Sequence, residues 1–274
     1  MHPRVSVHNV CFPGAGLREL AGYLRQLGAQ RVSLASYLLF QEGLPAAQEA
    51  VASAGCVVES LTHPFMAGFG AGHLQAGEES WQQPRESLSR LIAMAQSLGA
   101  RSIYMLTGGR GSLTWEEAAD VFRQAIAPCV QQAKEAGIAL SVENSAALYA
   151  ELHIAHSLRD TVTLAEIADV GVCMDFFACW TEAGLRESIQ RAMPRCQLVQ
   201  VCDYAYGDRS LPSRAVPGDG AIPVRRMIEW VLQAGYTGSF DIEVLGPRIE
   251  LEGPVNAIRR TAEAVGGVLR SLGA

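Results

Sequence analysis

The stretch AKEAGIALSVEN, from Ala133 to Asn144, contains a helix end, a strand and a carboxylate in immediate succession. Gly137 closes the helical pattern, as a glycine in the left-handed region commonly does. The apolar run that starts at Ile138 then predicts a buried strand. That strand ends on a charge, Glu143, next to the amide of Asn144. A single polar strand end means little, so its importance depends on whether the pattern recurs along the chain.

The same order of helix, glycine and strand recurs in LRQLGAQRV, VASAGCVV, AQSLGARSI and LQAGYTG. The predicted strands are Val5–Val7, Arg31–Leu34, Cys56–Leu61, Ser102–Leu106, Ile138–Glu143, Gly171–Asp175, Leu198–Val201 and Ser239–Glu243. The predicted helices include Leu17–Leu27, Ala46–Ala54, Arg85–Leu98, Trp115–Ala136, Leu164–Ala168, Leu185–Ala192, Val224–Ala234 and Val255–Leu272. Eight such units in about 270 residues predict an α/β fold, a single (β/α)8 TIM-barrel domain over residues 1–274. The alternative, a doubly wound open sheet, usually brings a GxGxxG turn after its first strand, and NVCFPGAG lacks that form.

The composition excludes several classes of protein. The 274 residues are 49% hydrophobic, which is enough for one large core. A net charge of −6 with scattered basic residues argues against a nucleic-acid partner. No run reaches the ~20 apolar residues of a membrane span, and the N-terminus lacks a signal-peptide pattern, so we expect a cytoplasmic protein with no membrane partner. The seven cysteines form no CxxC pair and are expected to be reduced, packed thiols.

Polar side chains end four successive predicted strands: Glu143, Asp175, Gln200 and Glu243. Because the C-terminal ends of parallel barrel strands surround one mouth, we expect three carboxylates and an amide to converge there. Unpaired carboxylates would repel one another, and a divalent cation such as Mn²⁺, Mg²⁺ or Co²⁺ would remove the conflict. The two glutamates are also suitable for proton transfer. The alternative is that some of these residues are strand caps or ion-pair partners.

Five segments, SVEN, VCMDFFACW, LVQVCDY, RAVPGDGAIP and GYTGSFDIEVLG, resemble the sugar-phosphate isomerase/epimerase family. This family belongs to the xylose isomerase-like TIM-barrel superfamily, and the resemblance is strongest from Leu140 to Gly246. It implies one divalent cation, Mn²⁺ before Mg²⁺ or Co²⁺, held by Glu143, Asp175, Gln200 and Glu243. Glu143 and Glu243 would double as the acid/base pair that moves a proton beside a carbonyl.

The resemblance also implies residues that contact the substrate. Arg214, ahead of PGDG, would be directed at substrate oxygens, and His63 and His156 follow the third and fifth strands and could reach the substrate as well. The alternative for His63 is a histidine that is hydrogen bonded within its own loop. Asp203, three residues after Gln200, is expected either to orient a ligand or to bind substrate. Two long irregular stretches follow strands, at residues 63–84 and 204–223, which places both on the catalytic face of a barrel.

The chain departs from the family pattern at two positions. The family usually has histidine where Gln200 stands, and an amide oxygen binds a hard cation more weakly. The family's ketose epimerases place a substrate-binding histidine three residues after the sixth-strand aspartate, where this chain has Ala178. The apolar neighbours Phe176, Phe177 and Trp180 remain, which favours a glycoside with an aryl or other apolar part. Equally, these aromatic residues pack the core and start a helix.

The leading interpretation is a metal-dependent isomerase or epimerase that acts on a sugar or keto-sugar derivative. It would abstract a proton alpha to a carbonyl, with a metal-stabilised enediolate. Loss of a β-substituent after the same first step would instead make it a lyase or dehydratase. A nuclease of the endonuclease IV kind needs a histidine-rich three-zinc cluster, which six histidines and the negative charge disfavour. A non-catalytic barrel that serves as a partner subunit is the third class.

Three further signals have no settled interpretation in the sequence. His153 and His156 are three residues apart and could form a metal pair. The segment TGGRGS, Thr107 to Ser112, could receive an anion through backbone N–H groups or be a plain connection. The last helix carries Arg259, Arg260 and Arg270 among small apolar residues, and it could contact a second subunit in a homo-oligomer.

Overall fold

The computed structural model describes residues 1–70 and 72–274, and these residues form eight parallel strands that follow chain order in a closed barrel. The strands are β1 (Val5–His8), β2 (Arg31–Ala35), β3 (Val57–Pro64), β4 (Ser102–Leu106), β5 (Ala139–Glu143), β6 (Gly171–Asp175), β7 (Cys196–Val201) and β8 (Phe240–Ile242). All eight predicted strands are present. The predicted (β/α)8 TIM-barrel fold is therefore confirmed.

Eleven α-helices lie between and after these strands in the described part of the chain. They are α1 (Leu17–Leu27), α2 (Ser36–Glu42), α3 (Leu44–Ala54), α4 (Glu78–Leu98), α5 (Trp115–Ala136), α6 (Leu158–Ala168), α7 (Phe176–Cys179), α8 (Leu185–Ala192), α9 (Val224–Gln233), α10 (Pro247–Glu252) and α11 (Pro254–Ser271). Within residues 1–70 and 72–274, no helix has the length and apolar character needed to cross a membrane. All seven cysteines are free thiols, as predicted.

The segment that contains AKEAGIALSVEN shows how sequence fixes one βα unit. Helix α5 begins with a capping box, in which Thr114 and Glu117 satisfy each other's backbone N–H groups. It ends at Gly137, whose φ of 71° lies in the left-handed region that favours glycine. Strand β5 then pairs with β4 and β6, and Glu143 is in register with Cys173 of β6. The carboxylate therefore stands where β5 ends.

The boundaries of β3, α4 and α6 differ most from the sequence prediction, and α6 begins at Leu158 rather than at Leu164. Strand β3 continues to Pro64, because Thr62 and His63 stay in register with β4 although they look like a polar strand end. Helix α4 starts at Glu78 rather than at Arg85, and Pro84 lies inside it. Proline removes one backbone hydrogen bond of a helix, which made it look like a boundary. Tertiary packing overrides that cost here, since Trp81 and Pro84 are both buried.

The chain divides into two compact units, which are described separately. The first unit contains residues 1–59 and 198–274, and the second contains residues 60–197. In the first unit β1 pairs with β2 and β8, and β7 pairs with β8. In the second unit β4 pairs with β3 and β5, and β5 pairs with β6. A single domain over residues 1–274 stays a prediction.

Candidate functional site

Gln200 and Glu243 lie side by side in the first unit. Gln200 is in β7, in register with Asp241 of β8. Glu243 follows β8, and its N–H donates to the carbonyl of Val201 at 3.3 Å, which continues the strand pairing. The amide nitrogen Nε2 of Gln200 donates a hydrogen bond to Oε2 of Glu243. The structure thus brings these two predicted site residues into direct contact.

Arg214 supplies a positive charge to the same carboxylate. It comes from the loop after β7 and is only 8% exposed. Its Nη2 lies 3.3 Å from Oε1 of Glu243, and its Nη1 donates to Sγ of Cys202 at 3.3 Å. A buried guanidinium is costly unless it is paired, so Arg214 and Glu243 offset each other's charge. Both oxygens of Glu243 therefore accept hydrogen bonds, one from an amide and one from a cation.

The carboxylate of Asp203 is fully buried and organises the loop that carries Arg214. It accepts four backbone hydrogen bonds at 2.7 to 3.1 Å, from Tyr204 and Ile222 to Oδ1 and from Gly218 and Gly220 to Oδ2. Two donors on each oxygen satisfy the hydrogen-bonding capacity of the carboxylate well. The carboxylate therefore ties the start of the irregular stretch 204–223 to residues 218–222, although the stretch contains neither a helix nor a strand.

Glu143 and Asp175 end adjacent strands in the second unit. The side chain of Asn144 connects these ends, because its Nδ2 donates to the carbonyl of Asp175 and its Oδ1 accepts from the N–H of Asp175, both at 2.8 Å. These two bonds take the place of one more step of strand pairing. Oδ1 of Asp175 accepts from the N–H of Phe177 at 2.9 Å and so caps α7. Asn144 thereby ties the end of β5 to the backbone of Asp175.

His153 also binds the end of β5, through a hydrogen bond to the backbone of Glu143. Its Nδ1 accepts from the N–H of Thr107 at 2.9 Å, and its Nε2 donates to the carbonyl of Glu143 at 2.6 Å. Burial lowers the pKa of His153 to about 3, so the ring is neutral at pH 7. Because both ring nitrogens bind backbone groups, the metal pair of His153 with His156 is wrong. His156 is half-buried, with Nδ1 3.2 Å from the carbonyl of Ser145.

His63 lies inside β3 and is 1% exposed. Its Nε2 is 2.9 Å from Oγ of Ser87 on α4, and its ring is close to Phe65 and Phe69, with centroids 6.3 Å apart in each case. Burial lowers the pKa of His63 to about 4. The side chain therefore contacts a helix and aromatic rings, and its contact with substrate stays a prediction.

The sequence reasoning missed two buried polar residues of the first unit. His8 ends β1, accepts from the N–H of Val10 at 3.1 Å, and has its pKa lowered to about 3 by burial and by the charge of Arg214. Asp241 of β8 accepts from Oγ of Ser33 at 2.9 Å, and burial raises its pKa to about 8. In residues 1–70 and 72–274, Oδ2 of Asp241 has no hydrogen-bond partner, as a neutral acid can tolerate.

The rule that drew attention to Glu143, a polar residue at a strand end, also applies to VSVH and would have found His8. Asp241 is different because it stands in the middle of a strand, within SFDIEV. A carboxylate between two apolar residues of a predicted central strand is a signal of its own, since such a group must be paired or neutral.

The loop TGGRGS is not an anion site at its first two glycines, Gly108 and Gly109. The N–H of Gly108 donates to the carbonyl of Leu152 at 2.9 Å, and the N–H of Gly109 is shared between the carbonyls of Gly72 and Glu151. These donors are used within the protein. Among the aromatic residues after β6, Phe176 is fully buried and packs the core, whereas Phe177 and Trp180 are half-buried.

A divalent cation fits the donor chemistry of the Gln200–Glu243 pair. Within residues 1–70 and 72–274, no three His, Cys, Asp or Glu side chains form a metal-binding cluster. The pair itself offers carboxylate and amide oxygens, which hard cations prefer. A half-turn of the Gln200 amide exchanges Nε2 for Oε1 without changing its shape, so the amide oxygen can face a cation beside Glu243. Arg214 would weaken such binding by repulsion.

The model of the xylose isomerase-like TIM barrel family matches residues 14–270. The chain belongs to this family. The expected resemblance is thereby confirmed for most of the length of the chain. Members of the xylose isomerase-like family share the fold, while the chemistry of each depends on the side chains at its strand ends.

Solved structures of the xylose isomerase-like fold resemble the chain over almost its whole length. Protein SMc04130 from Sinorhizobium meliloti 1021 has a TM-score of 0.83 at 21% identity and covers 98% of each chain. The IolI protein with a bound zinc atom has a TM-score of 0.81 at 12% identity, again over 98% of each chain. An L-ribulose 3-epimerase has a TM-score of 0.80 at 15% identity, over 98% of this chain and 95% of that one. At these identities the likeness shows the fold alone. No curated protein is significantly similar to the chain in sequence.

Proposed function

We propose that the chain is a divalent-metal-dependent isomerase or epimerase that acts on a sugar or keto-sugar derivative. The observation that carries this proposal is the carboxylate of Glu243, which lies at the end of β8 between the amide of Gln200 and the guanidinium of Arg214. Donors on both oxygens fix a carboxylate in place, as a proton-transferring group requires. Membership of the xylose isomerase-like family, with a sugar epimerase among its fold neighbours, supports the substrate class.

The proposed cation ligands are Glu143, Asp175, Gln200 and Glu243. Glu143 and Asp175 end β5 and β6, Gln200 precedes the last residue of β7, and Glu243 directly follows β8. The proposal joins the four residues through the expectation that the C-terminal ends of parallel barrel strands surround one mouth. A bound divalent cation would supply positive charge for the negative charge that develops on substrate oxygens. The oxygen-rich ligand set favours Mn²⁺, with Mg²⁺ and Co²⁺ as alternatives.

We assign a separate role in the reaction to each residue of this proposed site. Glu243 takes the proton from the carbon beside the carbonyl, and Glu143 returns a proton at another face or carbon. Arg214 donates to substrate oxygens and responds to their growing charge. His156, which is half-buried, is a candidate for a further substrate contact. For Asp203 and His63, which are buried and hydrogen bonded within the protein, we propose that any effect on substrate is indirect.

Exchange of a substrate C–H with deuterated water tests the proposal. The Mn²⁺-loaded protein is incubated with L-ribulose in D₂O, and proton NMR follows the loss of the C–H signal next to the carbonyl. We expect exchange with the native protein and none with Glu243→Gln, which keeps the shape but removes the base. Glu263→Gln changes an exposed carboxylate of α11 and is the matched control. Unchanged exchange in Glu243→Gln would remove Glu243 from the role of base.

The lyase or dehydratase alternative is favoured by one feature, Ala178, which stands where ketose epimerases of the family carry a substrate-binding histidine. Phe177 and Trp180 beside it are half-buried, and an apolar leaving group would suit them. The same protein is therefore offered a 3-keto-glycoside of a phenol, and release of the phenol would identify a lyase. Absence of exchange and of release, with Mn²⁺ bound, would count against both enzyme interpretations for these substrates and favour a non-catalytic barrel. A cytoplasmic location and a homo-oligomeric state stay predictions.

A further inference from the structure

We infer that Asp203 is a positioning residue that holds Arg214 against Glu243 by fixing the loop 204–223. The structural part of this inference stands on hydrogen bonds alone, and its catalytic meaning rests on the proposed function. The sequence offered two roles for Asp203, orienting a ligand or binding substrate. The structure favours a third role, in which Asp203 acts on the reaction only through Arg214.

The first step is the attachment of the loop to Asp203. Besides the four N–H groups on its carboxylate, the backbone of Asp203 forms a two-bond bridge with Ala215, at 2.8 Å in each direction. Ala215 is the residue after Arg214. The segment PGDG is tied in through Gly218 and Gly220. Asp203 therefore contacts the loop at its beginning, next to Arg214, and beyond PGDG.

The second step is the path from the loop to Glu243. The N–H of Arg214 donates to the carbonyl of Leu245, two residues after Glu243, at 3.2 Å. A Cβ on Gly246 would collide with the carbonyl oxygen of Pro212, so the two chain segments approach as closely as their backbones allow. The backbone of Arg214 is thus held by Leu245, and that of its neighbour Ala215 by Asp203. The guanidinium reaches Glu243 from this fixed base.

The third step is that the Asp203 carboxylate has no capacity left for a substrate. It is 0% exposed, and each oxygen already accepts two backbone hydrogen bonds. Asparagine has the same shape but would turn an NH₂ group towards two N–H donors, which repels them. Asp203→Asn therefore disturbs the loop without adding volume. Gly220→Ala disturbs it from the other side, since its Cβ would collide with Oδ1 of Asp203.

A double-mutant cycle measured with L-ribulose and the Mn²⁺-loaded protein tests the inference. We expect Asp203→Asn to lower kcat/KM by about 100-fold, as displacement of a positioned group by an ångström does. Arg214→Met lowers it at least as much, and the double variant is no worse than Arg214→Met alone, because one effect passes through the other. Asp219→Asn is the control in the same loop, since its carboxylate pairs with Arg260 at 2.7 Å and should leave kcat/KM unchanged.

Amide hydrogen exchange, followed by mass spectrometry, gives a readout that does not need activity. Asp203→Asn and Gly220→Ala should both speed exchange in peptides that contain residues 204–222, Arg214 and Ala215 included, and Asp219→Asn should not. If the native protein turns over no sugar, the proposed function fails while faster exchange still supports the positioning role. The inference is overturned if loop exchange is unchanged in both variants. It is also overturned if the effects of Asp203→Asn and Arg214→Met on kcat/KM multiply.

Discussion

We expect Gln200 to determine how strongly the proposed site holds a cation. Its amide oxygen is a weaker ligand than the imidazole nitrogen that the family usually places there, and its Nε2 is committed to Glu243. We predict that Gln200→His lowers the Kd for Mn²⁺ roughly tenfold, because a neutral imidazole is the better donor for transition metals. Isothermal titration calorimetry with Mn²⁺ measures the change directly.

The matched control for that prediction lies on the same strand. Gln197→His puts an imidazole near the start of β7, at an exposed position, and should leave the Kd unchanged. Equal tightening in both variants would mean that any added histidine binds Mn²⁺. No tightening in Gln200→His would place Gln200 outside the ligand set.

At the residue level, the sequence predicted the positions of the charges but not their partners. Glu143 and Glu243 could be found because each follows an apolar strand, a local pattern. The partners could not be found this way. His153 reaches Glu143 from ten residues away through an irregular loop, and Cys202 meets Arg214 across the turn that Asp203 organises. Such contacts depend on loop conformation, which backbone hydrogen bonds determine and hydrophobic periodicity does not record.

At the scale of elements, replacement of glycine by alanine is expected to have opposite effects on stability at two positions. Gly22 lies within α1, and a Cβ there would meet nothing within 4 Å, so Gly22→Ala should stabilise the protein by about 0.5–1 kcal/mol. A Cβ on Gly109 would lie 2.7 Å from the carbonyl oxygen of Glu151. Gly109→Ala should therefore destabilise by about 1–3 kcal/mol, as overpacking does.

Urea unfolding of the two alanine variants and the native protein measures this contrast, and each variant is the control for the other. If Gly109→Ala were as stable as the native protein, the TGGRGS loop could move away from residues 150–152 at little cost in free energy. That result would reopen the loop as a binding segment, because its N–H groups would not be held firmly by carbonyls.

Boundaries of elements were predicted less well than the elements themselves, and α4 shows why. Its apolar periodicity is clear after Pro84, so the prediction began the helix at Arg85. The structure extends the helix back to Glu78, because Trp81 is buried and its indole N–H donates to the carbonyl of Gln75 at 2.7 Å. A tertiary contact of one aromatic ring thus decides a boundary that propensity places elsewhere.

At the scale of the whole molecule, buried histidines should make stability fall in acid. Burial lowers the pKa of His8 and His153 to about 3 and that of His63 to about 4, from 6.5. Between the folded and unfolded pKa values the unfolded chain binds the extra protons, so stability is full above about pH 6.5 and falls as the pH drops towards 4. Asp241 acts in the opposite direction, because its raised pKa lets the folded chain keep a proton up to about pH 8.

His63 allows this effect to be isolated, since variants at this position share the other titrating groups. A shift from 6.5 to about 4 corresponds to at most about 3 kcal/mol of stability. His63→Asn removes the titrating ring. Between pH 8 and pH 5 the unfolding free energy of the native protein should therefore fall by roughly 2 kcal/mol more than that of His63→Asn, as measured by urea unfolding. Ser87→Ala removes only the hydrogen-bond partner. Ser87→Ala should lower the unfolding free energy at every pH and leave its dependence on pH as in the native protein. If His63→Asn also kept that dependence, the ring would already be protonated in the folded protein at pH 5, and β3 would have to open to admit the charge.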